Sequence, residues 1–367
     1  VRHKFRTAQS LLRRTAYLST AGAVAATATL MFSGVSGAAP SLGSSGSGSV
    51  GSGSTVPAPF QEDPGPRPVL RDDILVPKIN KINENGKHVR YSVESPALRR
   101  AVTLDVLLPA DNSVKRPTLY MLDGVSAGDN ASGWMYQADA KNFFANKNVN
   151  VVMLNGGRSS VYTDWETEDP ILGLNRWETF TAKELPPLID DALNTNGVNA
   201  IAGNSMGAQA AMMLAHRNPK VYAGVASFSG CYSTTDAVGR LSIQLSASLL
   251  GGDPGNIWGE FGNEQWRAHD SVRNAEALRG KEIYMSVGSG LTGPHEDPND
   301  DDYLNRVIVG GAIEAGSNQC TRTLENRLNS LRIPSTVTYE PVGIHNWPYW
   351  KDQLPKAWPT IQKALGL

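Results

Sequence analysis

At 367 residues the chain is long enough for one large domain or two medium ones. Its 34 Lys and Arg nearly balance 35 Asp and Glu, a formal charge of -1, so electrostatics gives no reason to expect nucleic acid as a partner. Two cysteines, Cys231 and Cys320, are too few to hold a metal by themselves, and no metal or other cofactor is expected.

The first 38 residues carry Arg2, Lys4, Arg6, Arg13 and Arg14 and no acid. A small, apolar stretch from Ala16 to Val35 follows, and Ser36-Gly37-Ala38 has the small residues of a cleavage site. That layout predicts an export signal over 1–38, with Sec and Tat routes both open at Arg13-Arg14. Ser19, Thr20, Gly22, Thr27 and Thr29 interrupt the apolar stretch and argue against a membrane span. The expectation is a secreted or cell-envelope protein. Outside the cytoplasm an even pair of cysteines predicts one disulfide, with two separate buried thiols as the alternative. Residues 39–72 are rich in Gly and Ser, then in Pro, and read as a disordered linker. The folded domain is expected over 73–367.

Within it, strands are predicted at His88 to Glu94 and Ala101 to Leu108, the second alternating Val102, Leu104 and Val106 on one face. Compact apolar strands follow at Pro117 to Leu122, running into Asp123-Gly124, and at Asn150 to Leu154, running into Asn155-Gly156-Gly157. Glu184 to Asn194 reads as a helix. Further strands are expected at Gly197 to Ala202, Val221 to Phe228, Glu282 to Val287 and Thr336 to Val342. Strands alternating with helices predict an α/β fold, a mostly parallel central sheet with helices on both faces. In such a sheet functional groups gather at the carboxyl ends of the strands, where Asp123, Asn155, Ser205 and Gly288-Ser289-Gly290 all fall.

Gly203-Asn204-Ser205-Met206-Gly207 is a G-x-S-x-G pentapeptide between an apolar strand and the helical stretch Ala208 to Arg217. In that setting the serine sits on a tight strand-to-helix turn that presents its hydroxyl as a nucleophile. A serine needs a base, and on this architecture the acid and then the histidine follow it in the chain. Of six histidines, His345 fits: it lies after the last predicted strand, in a Gly343-Ile344 turn. The acid is open at this point. The loop after Glu282 to Val287 offers Glu296 or Asp297 among several other acids, whereas Glu314 stands alone among small apolar residues and needs a partner.

Five separated segments carry a resemblance to a known family: Tyr120-Met121-Leu122-Asp123-Gly124 with Ser132-Gly133-Trp134; Val151 to Gly157 with Ser159 to Trp165; Trp177-Glu178-Thr179-Phe180 with Glu184-Leu185-Pro186; the elbow; and His345-Asn346-Trp347-Pro348-Tyr349-Trp350. The chain resembles the antigen 85 type mycolyltransferases of mycolic-acid-containing actinobacteria, especially their corynebacterial relatives. The resemblance implies an α/β-hydrolase that moves a mycolyl group from trehalose monomycolate, through a serine acyl-enzyme, to a second trehalose monomycolate or to cell-wall arabinogalactan. It implies Ser205 as nucleophile, His345 as base, Glu314 as acid, and an oxyanion hole from the Val125 and Met206 N–H groups. Its partners would be trehalose mycolates, cell-wall glycan and the outer lipid layer, with Asp123, Ser126, Trp134 and Trp347 on the sugar side. The chain departs from the family at Ser126, where an arginine is expected, at Asn204 in the elbow, and at Val287 in place of a cysteine. Cys231 and Cys320 match positions of the corynebacterial branch. Leu241 to Leu250, with Ile243, Leu245, Leu249 and Leu250, is a candidate lining for an acyl groove or an ordinary core helix.

Overall fold

The computed structural model describes residues 66–367. The export signal expected over 1–38, and the linker as far as residue 65, lie outside the described residues. Chain order begins with an antiparallel meander: β1 (Lys78–Asn85), β2 (His88–Ser95) and β3 (Arg100–Leu107). β4 (Thr118–Leu122), β5 (Asn150–Leu154), β6 (Asn199–Asn204), β7 (Gly224–Phe228), β8 (Glu282–Val287) and β9 (Thr336–Tyr339) follow. Among the described residues they form one sheet in the order β1-β2-β3-β5-β4-β6-β7-β8-β9. β3 joins β5 antiparallel, and every pairing from β5 to β9 is parallel.

Every residue of β4, β5, β6 and β7 is buried, as a parallel sheet covered on both faces requires. The two-residue period of a strand splits their side chains between two cores. Tyr120 and Leu122 of β4, with Val152 and Leu154 of β5, face helices α1 (Leu185–Leu193), α2 (Met206–Arg217), α3 (Ala237–Ser248) and the C-terminal part of α4 (Tyr303–Ser330). Leu119, Met121, Val151 and Met153 face the other way, toward Trp134, Phe144 and helix α5 (Trp347–Leu365). The fold is thus the expected one, a mostly parallel α/β sheet with helices on both faces.

Two elements differ from the sequence expectation for physical reasons. β1 is almost entirely exposed, an edge strand held by β2 with no apolar face to mark it. α4 runs for 28 residues, yet its buried stripe is Gly310, Glu314, Ser317, Thr321, Leu324 and Leu328, mostly small or polar, so it has little amphipathic signature. Ahead of β1, Arg71 N–H donates to the Arg99 carbonyl at 2.7 Å and Ile74 is buried. No helix among the described residues is long and apolar enough to cross a membrane.

Candidate active site

The site is built at the turn between β6 and α2. Ser205 has φ +55° and ψ -122°, a conformation that L-residues rarely adopt and that costs on the order of 1–3 kcal/mol. The turn closes only because its flanking residues are glycines. A Cβ on Gly203 would lie 2.2 Å from the Gly207 carbonyl oxygen, and one on Gly207 would lie 2.4 Å from that of Asp123. α2 behind it is buried on all sides from Met206 to His216, so Ser205 stands at the head of an enclosed helix. Met206 itself is tied down, its Sδ accepting the Val161 N–H at 3.3 Å.

Ser205 Oγ and His345 Nε2 are 2.7 Å apart, and His345 Nδ1 is 2.7 Å from Glu314 Oε2. The histidine backbone is fixed by its N–H to the Gly310 carbonyl at 3.0 Å, and its ring meets Trp350 edge-on at 5.0 Å between centroids. Glu314 is 1% exposed, and its other oxygen accepts from Ser229 Oγ at 2.7 Å and from the Gly288 N–H at 2.6 Å. A carboxylate so buried is tolerated because each oxygen has a donor. Such an arrangement can draw the serine proton onto Nε2 while Nδ1–H donates to Glu314. The two competing acids lie elsewhere: Asp297 accepts from Asn299, and Glu296 from the Gly293 N–H and the Tyr349 hydroxyl.

Ser229 escaped the sequence reading. It stands at the end of β7 with φ +59°, donates to Glu314 and accepts from Trp350 Nε1 at 3.0 Å. Its only signal is its place, a Ser-Gly pair at the carboxyl end of a buried strand. Gly288, from the strand-end turn after β8, contributes a backbone N–H, which a sequence does not display.

Of the two N–H groups expected to meet an oxyanion, that of Met206 occupies the first helical position, where no preceding helical carbonyl takes it. The Gly124-Val125 turn lies against the nucleophile: a Cβ on Gly124 would be 3.7 Å from Ser205 Oγ. The Val125 carbonyl is held by the Ser159 N–H at 2.9 Å, which fixes that peptide beside β5.

The sugar-side expectations divide. Ser126 is exposed and Trp347 half-buried. Trp134 is a correction: it is fully buried, its Nε1 donates to the Leu122 carbonyl at 2.9 Å, and it packs on Phe228 and Trp347, so no sugar can reach its face. Asp123 is 3% exposed and turned inward, accepting from Ser132 Oγ and the Gly133 N–H, each at 2.8 Å. It anchors the short helix Gly133–Tyr136 rather than facing solvent. Burial pushes its pKa up to about 7, against the pull of the Gly133 and Ser132 hydrogen bonds. Within the segment Leu241 to Leu250, Ile243 and Leu250 are in the core, while Leu241, Leu245 and Leu249 form a half-buried stripe along α3. Cys231 and Cys320 are joined in a disulfide with their Cα atoms 4.8 Å apart.

Comparison with known proteins bears on the family and the fold. The family described as "Putative esterase" matches residues 95–361. The diacylglycerol acyltransferase/mycolyltransferase Ag85A of Mycobacterium leprae is 29% identical over 292 residues, 77% of this chain and 84% of that protein. The Ag85B protein of Mycolicibacterium smegmatis is also 29% identical, over 77% of this chain and 86% of its own. Among solved structures, Mycobacterium tuberculosis MPT51 (FbpC1) superposes with a TM-score of 0.62 at 24% identity, covering 74% of this chain and 96% of that one. An S-formylglutathione hydrolase from Agrobacterium tumefaciens gives 0.56 at 17%, covering 78% and 99%; these two likenesses bear on the fold. A parallel sheet with an elbow serine at the head of its central helix, matched over most of its length by these proteins, places the chain in the putative esterase family, as an α/β-hydrolase of the antigen 85 type.

Proposed function

We propose that this enzyme, an acyltransferase or esterase by family, is an exported mycolyltransferase working through a serine acyl-enzyme. The observation that carries the reading is the continuous hydrogen-bonded chain Ser205–His345–Glu314 at the head of α2. Relatives named diacylglycerol acyltransferase/mycolyltransferase supply the substrate class.

In the first half-reaction Ser205 Oγ attacks the mycolyl ester carbonyl of trehalose monomycolate while His345 Nε2 takes its proton. The oxyanion is met by the Val125 and Met206 N–H groups, donors of a kind that contribute about 3 kcal/mol each. Trehalose leaves with the proton from His345. In the second half, the same nitrogen takes a proton from an acceptor hydroxyl, which attacks the acyl-enzyme and frees Ser205. Glu314 holds the imidazole in one tautomer and orientation throughout. Trp347 and Ser126, both reached by solvent, are the candidates to meet sugar. Val238, Leu241, Leu245 and Leu249, half-buried at helical spacing on α3, are suited to an acyl chain.

The test is incubation with trehalose monomycolate and identification of both products. Trehalose dimycolate with released trehalose is expected. A secreted carboxylesterase is the second reading, favoured by the family description. Free mycolate without dimycolate would establish that reading instead.

A further inference from the structure

The helix that carries the acid is weakly held where it matters. Up to Cys320, the buried positions of α4 are Gly310, Gly311, Glu314, Gly316, Ser317 and Cys320; the first large apolar side chain it buries is Leu324. A helix segment without an apolar face has little to fix its rotation or its height along the sheet. The loop after β7 supplies what is missing. Ser229, at the strand end, meets Glu314 through its hydroxyl, and two residues later Cys231 is bonded to Cys320. Cys320 is six residues beyond Glu314, about 9 Å along the helix axis. The loop therefore grips α4 at two heights, once by a hydrogen bond to the acid itself and once by a covalent bond. Both cysteines are buried, at 6% and 5% exposure. A third contact, Asn318 Nδ2 to the Gly288 carbonyl at 2.9 Å, ties the same stretch of helix to the residue whose N–H donates to Glu314.

We infer that the Cys231–Cys320 disulfide is a positioning device for the acid: it holds α4 at the rotation and height at which Glu314 meets His345 Nδ1 and Ser229 Oγ together. This rests on the triad reading given above. The cystine touches no reacting atom and acts through Ser229 and Glu314. The burial of a large apolar residue, which fixes the far end of α4 at Leu324 and Leu328, is replaced near the acid by a bond of fixed reach.

The experiment is steady-state hydrolysis of p-nitrophenyl butyrate, which reads the serine chemistry without depending on the native acceptor. It compares the wild type, Cys231→Ala/Cys320→Ala, Ser229→Ala and the triple variant, each at a temperature well below its own melting point. Displacement of the acid predicts that kcat of the cysteine variant falls about tenfold to a hundredfold with KM nearly unchanged. It also predicts that the triple variant is little worse than the cysteine variant, because both changes release the same carboxylate. Unchanged kcat in a folded cysteine variant, or losses that multiply independently, would overturn the inference and leave the disulfide a plain stabiliser. If the alanine pair does not fold, wild-type enzyme reduced with dithiothreitol, which takes the cystine to two thiols and is itself oxidised to a cyclic disulfide, is read in the same assay. Ser205→Ala separates the two claims. Retained turnover there defeats the triad reading, whereas its loss beside an unaffected cysteine variant defeats only the positioning role.

Discussion

At the scale of single residues, the site depends on which carboxylate faces His345. Glu314 Oε2 lies 2.7 Å from Nδ1, while Asp297 spends its carboxylate on Asn299. Glu314→Gln should therefore lower kcat by roughly 10³- to 10⁴-fold with the protein folded, since the amide no longer holds the imidazole in its working tautomer. Asp297→Asn should leave kcat unchanged; the reverse pattern in p-nitrophenyl ester hydrolysis would reassign the acid. Ser205 and His345 were legible in the sequence because their signals are local: a pentapeptide between strand and helix, and a histidine after the last strand. Glu314 was legible only as a lone charge in small surroundings, since its partners come from three other segments, at Ser229, Gly288 and His345. Trp134 was misread because an aromatic beside an Asp-Gly turn looks the same in sequence whether it lines a crevice or fills the core under it.

Individual elements add their own constraints. The β6–α2 turn permits no side chain at Gly207, where a Cβ would collide with the Asp123 carbonyl oxygen at 2.4 Å. Gly207→Ala should destabilise the protein by about 1–3 kcal/mol and depress activity more than stability, because the displaced peptides bear Ser205 and Val125; urea titration beside ester hydrolysis reads both. At the other end of α2, Arg217 Nε donates to both oxygens of Glu178, at 2.9 Å each, and His269 Nε2 lies 3.6 Å away. Burial alone would raise Glu178, but the neighbouring His269 and Arg217 bring its pKa from 4.5 down to about 2. A carboxylate depressed on folding contributes stability that is present above the unfolded pKa and is lost as pH falls through the folded one. The window is therefore from about pH 4.5 down to about 2, and the contribution is on the order of 3 kcal/mol at neutral pH. Glu178→Gln should lose that stability at pH 7 and flatten the acid limb of an unfolding curve measured across that range. A steeper limb would contradict the assignment. Among the elements, apolar β4, β5 and β8 were read at their bounds to within a residue. β1 and α4 were not, since an exposed edge strand and a helix packed by glycine and serine carry no hydrophobic period.

Over the whole molecule, the parallel order of β5, β4, β6, β7, β8 and β9 brings Ser205, the Gly124-Val125 turn and the partners of Glu314 to one edge of the sheet. Ser205 follows β6, Gly124-Val125 follows β4, Ser229 follows β7 and Gly288 follows β8. That convergence was predictable, because it follows from strand direction alone. The candidates for lipid and sugar contact, exposed Ser126 and half-buried Trp347 and the leucine stripe of α3, depend on loop conformations that the pattern of apolar residues does not encode. The central claim is acyl transfer through Ser205. The most direct measurement is the product distribution from trehalose monomycolate, determined by mass spectrometry for the wild type and for Ser205→Ala. The account predicts trehalose dimycolate and free trehalose from the wild type and neither from the variant. Undiminished dimycolate from Ser205→Ala would contradict it.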